Sequence, residues 1–300
     1  MSDGIVKLPY FEIEDIFIPK INKDMIHAKD YWSKETTKGE GMRVAIISSG
    51  CRVSHGDLMG KIESIFNFTS DDNGSPGIVT DNTGVGTHIA GIIASNEYSD
   101  FPGVAPNSRI SILKAIGQNG DNIDSVIEAI EYAIRLQVDI IVTTFSTEIN
   151  DPRLEGVVLD AVKADIPIVA AIGDVFVDNI DTAKQTYPAA YEDVICVGCS
   201  GENNTPSGFN NINNKVDLLA FGENVITLGH LDDYMSSTGS IVSAAYVTGA
   251  YILVKKYLEV NEGGKPSSEK VYSNLMRKLI ELDIEYRYQG AGILDFLEDK

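Results

Sequence analysis

A chain of 300 residues, 43% hydrophobic and 23% charged, holds enough apolar material for one large α/β domain or two small ones. Its formal charge of −20 argues against nucleic acid and anionic membrane as partners, because both reward lysine and arginine. The first twenty residues lack a basic segment followed by an apolar run, so they do not read as a secretion signal. The longest apolar stretch, 241–254, is too short to span a membrane and carries Ser243, Thr248 and Gly249. Cys51, Cys196 and Cys199 each sit in or beside a strand-like run, as free thiols do in a reducing compartment. Cytoplasm is the expected location.

In chain order, residues 1–40 form a polar extension that carries Leu8, Pro9 and Tyr10, with a short helix expected over 25–32. From residue 41 to 300 the pattern is strand, loop and helix in alternation. β-Branched runs at 44–47, 110–115, 139–143, 167–171, 194–197 and 216–219 read as strands buried on both faces. Helical patterns fall at 85–95, 122–136, 152–163 and 241–259. Strands separated by helices imply right-handed crossovers and a mostly parallel sheet with helices on both faces, a three-layer α/β fold. The stretches 70–77 and 202–214 are turn-rich connections.

Three blocks carry a resemblance. VAIISSG at 44–50 followed by SHGDL at 54–58, GVGTHIAG at 84–91, and GSIVSAAYVTGA at 239–250 line up with VAVIDTG…SHPDL, GHGTHVAG and GTSMASPHVAGA. These are the signature blocks of the subtilases, the subtilisin-like serine proteases. GVAP at 103–106, YPAAY at 187–191, VICVG at 194–198 and the G-x-G of Gly290 and Gly292 agree as well. The chain thus resembles a subtilase over nearly its whole length. Leu8-Pro9-Tyr10 resembles the N-terminal extension of the intracellular subtilisins, in which that segment lies across the active-site cleft.

What the resemblance implies about chemistry is unusual. It assigns Ser48 to the position of the catalytic Asp, Val85 to that of the His, Ile241 to that of the nucleophilic Ser, and Asp174 to that of the Asn that holds the oxyanion. A hydroxyl carries no charge to steady an imidazolium. Valine has no lone pair to act as base, and isoleucine cannot form an acyl-enzyme. None of the four histidines, His27, His55, His88 and His230, falls at the catalytic position. Ser240 flanks Ile241 but is turned from it by roughly 100° of helical rotation.

The expectation from these residues is a non-catalytic pseudoprotease, not an enzyme. It would bind a protein or peptide partner, such as an active intracellular subtilisin in a mixed dimer. The alternative is a weakly active serine endopeptidase with a rebuilt site at Ser240 or Ser48. Thr144-Phe145-Ser146-Thr147 on one rim stands where the family has S-L-G-G, and Asp121-Asn122 on the other replaces a small Ser-Gly pair. Side chains there, Phe145 and Ser146 among them, are expected to narrow the cleft or change what fits it. No cofactor is expected beyond calcium. Asp57 matches a family calcium ligand, yet the loop 95–100 is one residue short and lacks the family's glycines, so a calcium site and a solvated acidic loop both stand as readings.

Overall fold

The computed structural model describes residues 12–15 (backbone only), 24–118, 120, 123–174, 184–201, 203–211 and 215–297. Leu8, Pro9, Tyr10, Asp121 and Asn122 lie outside them, and so does the expected covering of the cleft by the first three.

The centre is a nine-stranded sheet. Its core strands are β2 (Arg43–Ser48), β4 (Arg109–Lys114), β5 (Ile140–Thr143), β6 (Ile168–Ala171), β7 (Val194–Ser200) and β8 (Leu218–Phe221). These are the six β-branched runs, and almost every residue in them is buried. One edge is completed by β3 (Ile62–Asn67), the other by β12 (Ile293–Leu294) and β11 (Leu279–Ile280). The order is β11-β12-β8-β7-β6-β5-β2-β4-β3, with every pairing parallel except β11 to β12.

Helices cover both faces. On one lie α2 (Val85–Ala94) and α5 (Ser240–Glu262), packed against each other and against the sheet; on the other lie α3 (Ile123–Leu136) and α4 (Pro152–Lys163). The two faces hold separate apolar clusters. Nearly all of the first part of α5, from Ser240 to Lys255, is buried, polar residues included, because this helix runs through the middle of its layer instead of over its surface. A second, three-stranded antiparallel sheet joins β1 (Glu12–Asp15), β10 (Tyr234–Thr238) and β9 (Val225–Leu228).

Local differences from expectation have local causes. The first helix, α1, spans Ala28–Glu35 and not 25–32. Asp24 sets its start, accepting from the backbone N–H of Ala28 at 2.8 Å and of Lys29 at 2.6 Å, while His27 takes a left-handed conformation that ends any earlier turn. The turn-rich stretch near 70–77 contains a single 3-10 turn, Asp71–Gly74. Lys114, fully buried at the end of β4, anchors it through ion pairs to Asp71 at 3.0 Å and Asp72 at 3.2 Å.

Candidate active site

In a parallel α/β sheet, ligands collect at the carboxyl ends of the strands, and there the residues assigned by resemblance come together. Ser48 closes β2, Asp174 follows β6, and Val85 and Ile241 stand at the first turns of α2 and α5. The head of α2 presses close to the end of β2: a Cβ on Gly86 would lie 1.9 Å from the Gly50 carbonyl oxygen. Only glycine fits that contact.

What sits at each position is plain. Ser48 is fully buried, and its hydroxyl accepts a hydrogen bond from Thr144 Oγ1 at 2.8 Å. Val85 and Ile241 are buried members of one apolar cluster. Neither offers a lone pair or a transferable proton, so these two side chains cannot run general-base or covalent catalysis.

The head of α2 is built by Asp81. This buried carboxylate accepts from Ser49 Oγ and the Gly84 N–H, each at 2.9 Å, through one oxygen. Through the other it accepts from the Thr87 N–H at 2.9 Å and Thr87 Oγ1 at 2.7 Å. A carboxylate there satisfies orphan N–H groups and meets the positive end of the helix. The signature blocks do not single out Asp81, and standing four residues ahead of Val85 it is not at the N-cap position that marks a helix start in sequence. His88 lies deeper in α2, bonded to Ser237 Oγ, and burial pushes its pKa down to about 3. It is a neutral packing residue.

The head of α5 is different. Ser240, its first residue, donates its backbone N–H to both oxygens of Asp174, at 3.0 and 3.2 Å. Asp174 keeps some solvent contact as a residue, but its carboxyl end is enclosed, and burial pushes its pKa up to about 7 against the lowering effect of Ser240. Ser240 Oγ is buried with no hydrogen-bond partner, and it lies near enough to Asp174 to lower the pKa of that carboxyl. Asp174 therefore serves here as an acceptor for the helix head, the reverse of the donor role that an asparagine would play.

Two expected cleft residues part company. Phe145 is buried in the α3–α4 cluster beneath the sheet, so its ring is core and does not wall a groove; the chain after β5 turns it inward. Ser146 is half-buried beside Thr147, which exchanges backbone hydrogen bonds with Tyr187 at 3.0 and 2.8 Å. At the expected calcium position, Asp57 Oδ2 accepts from Ser99 Oγ at 2.6 Å and Tyr234 Oη at 2.8 Å. Among the described residues no three His, Cys, Asp or Glu side chains gather as a metal site.

Residues 39–290 match the subtilase family. The chain belongs to that family. It is 36% identical over 301 residues to the major intracellular serine protease of Bacillus subtilis (strain 168), covering 98% of this chain and 94% of that protein. It is 33% identical over 273 residues to an intracellular serine protease of Paenibacillus polymyxa, covering 90% and 83%. Among solved structures, the epidermin leader peptide processing serine protease of Staphylococcus aureus superposes with a TM-score of 0.83 at 20% identity, over 97% of this chain and 83% of that one. That structure supports the subtilisin-like fold.

These matches correct one expectation. The reading of this subtilase as a non-enzyme rests on three side chains, whereas the family and the near-full-length relatives are serine proteases. Among the described residues no helix is long and apolar enough to cross a membrane.

Proposed function

We propose that this chain is an intracellular serine-type endopeptidase that cuts polypeptides held across the carboxyl ends of β2, β5 and β6. The observation that carries the reading is the 36% identity over 98% of the chain to a major intracellular serine protease. Similarity of that extent leaves little of the chain outside the shared domain. The layout at the strand ends supports it: the buried head of α2 meets the end of the strand that carries Ser48, and the buried head of α5 meets Asp174 just after β6. Helix heads present N–H groups and positive potential, which stabilise the oxyanion of acyl transfer. Because Val85 and Ile241 supply no reactive atom, a nucleophile and a base must come from neighbouring residues. Cytoplasm is the compartment we assign, in keeping with the free, buried cysteines.

The test is turnover of mixed internally quenched peptides by the purified full chain. Activity should elute with the protein and vanish across the protein's own thermal unfolding transition. Absence of turnover, or activity that survives that transition, overturns the proposal.

A further inference from the structure

Resting on the endopeptidase reading, we propose that Ser240 Oγ is the nucleophile of this chain and the carboxylate of Asp174 the base that takes its proton. Four observations converge on the head of α5.

The first is an unsatisfied hydroxyl. Ser240 is fully buried, and its Oγ has no hydrogen-bond partner. A buried polar atom without a partner costs free energy, and an orphan in a folded protein calls for an explanation, of which a catalytic role is one. The second is the adjacent carboxylate. Asp174 is fixed by two bonds from the Ser240 N–H, which places it against the same residue's side chain. Catalytic hydrogen bonds are often long or poorly aligned before substrate binds and tighten in the complex.

The third is a donor for the oxyanion. The Ile241 N–H, second in the helix, donates to no described acceptor, whereas the next two N–H groups donate to the Gly239 carbonyl at 3.1 and 3.5 Å. It stands at the positive end of a helix 23 residues long. The fourth is the backbone. Gly239 has φ 154 and ψ 162, a conformation open to glycine, so the chain enters the helix directly at Ser240.

The reaction balances with these groups and water. Ser240 Oγ bonds to the substrate carbonyl carbon while its proton passes to Asp174, and the carbonyl π electrons move to the oxygen facing the Ile241 N–H. Collapse breaks the C–N bond, and the departing amine takes the proton from Asp174. Water then attacks the Ser240 ester and gives its proton to Asp174. That proton returns to Ser240 Oγ as the acid leaves. A base whose pKa lies near the working pH is the efficient choice for such transfers, and burial places Asp174 there.

The probe is a fluorophosphonate, which phosphonylates nucleophilic serines, applied to the folded full chain and located by peptide mapping. The expected adduct is on Ser240, absent from Ser240→Ala. Its rate should rise with pH through a midpoint near 7, and Asp174→Asn should remove that midpoint and slow labelling by about a hundredfold or more. Should Ser240→Ala disturb the helix head, Ser240→Cys provides a second reading: its thiol should be alkylated by iodoacetamide in the folded state. An adduct on another serine, or no adduct together with an unreactive thiol in Ser240→Cys, overturns the assignment whatever the peptidase assay shows. Peptide turnover that persists in Ser240→Ala overturns it while leaving the endopeptidase reading intact.

Discussion

Exchanging Asp174 for Asn should stabilise the protein at alkaline pH and change little at acid pH. The carboxyl is raised from 3.8 to about 7 in the folded state. A group raised in this way supports folding fully below its unfolded pKa and loses that support as pH climbs through the folded value. The window here runs from about pH 4 to about pH 7. At 1.36 kcal/mol for each tenfold change in proton affinity, the gap corresponds to about 4 kcal/mol. Asp174 retains partial solvent contact, and screening there reduces the expected effect to about 2 kcal/mol. The amide oxygen of Asn can still accept from the Ser240 N–H, which wild type places 3.0 Å from a carboxylate oxygen. Urea unfolding of wild type and Asp174→Asn at about pH 3 and about pH 8.5, values that bracket this window, measures the difference directly. The variant should match wild type at the lower pH and exceed it at the higher. A stability difference that is the same at both values would refute the reasoning, because it would mean that folding does not raise the Asp174 pKa.

Other regions give independent expectations. His88, held neutral with its pKa near 3, supports folding above its unfolded pKa of about 6.5 and loses that support as pH falls from there toward 3. His88→Asn should therefore flatten the acid limb of a stability–pH profile, and an unchanged limb would contradict the assignment. Lys255, buried in α5, pairs with Asp139 at 2.9 Å, and Asp139 also accepts from the Arg43 N–H at 2.9 Å. Lys255→Met should cost about 3–5 kcal/mol by stranding that carboxylate, and adding Asp139→Asn should recover part of the loss; equal loss in single and double variants would deny the coupling. Ile241→Ala, at a fully buried site, should cost about 2–5 kcal/mol in urea unfolding; a loss below that range would mean that the helix head collapses around the cavity.

Some features are legible in the sequence and others are hidden for physical reasons. Strands β2, β5, β6 and β7 are buried on both faces, so each reads as a continuous β-branched run whose bounds agree to within a few residues. Strand β3 lies at an edge with only Asn67 buried, and its mixed pattern conceals it. β9 and β10 are short and belong to a separate sheet, so no alternation with helices marks them. Helix α6 (Ser268–Met276) is short, capped by Ser267 and mostly polar, with only Val271 and Leu275 to betray it.

At the site, chain position is legible and side-chain direction is not. The signature blocks locate Ser48, Val85, Asp174 and Ile241 at strand ends and helix heads. Nothing in the letters tells that Phe145 turns into the core, or that Asp174 accepts from the Ser240 N–H. Both facts depend on backbone geometry after a strand ends. For Ser240, helical rotation relative to Ile241 fixes its direction only along α5, whereas Asp174 reaches it from the end of β6, a strand distant in sequence.

The endopeptidase claim is tested most directly by incubating the purified chain with casein in water enriched in heavy oxygen and examining the fragments by mass spectrometry. Hydrolysis by this protein predicts new internal C-termini carrying the heavy isotope, produced in proportion to folded chain. Intact casein, or fragments whose yield does not follow the folded chain, would contradict it.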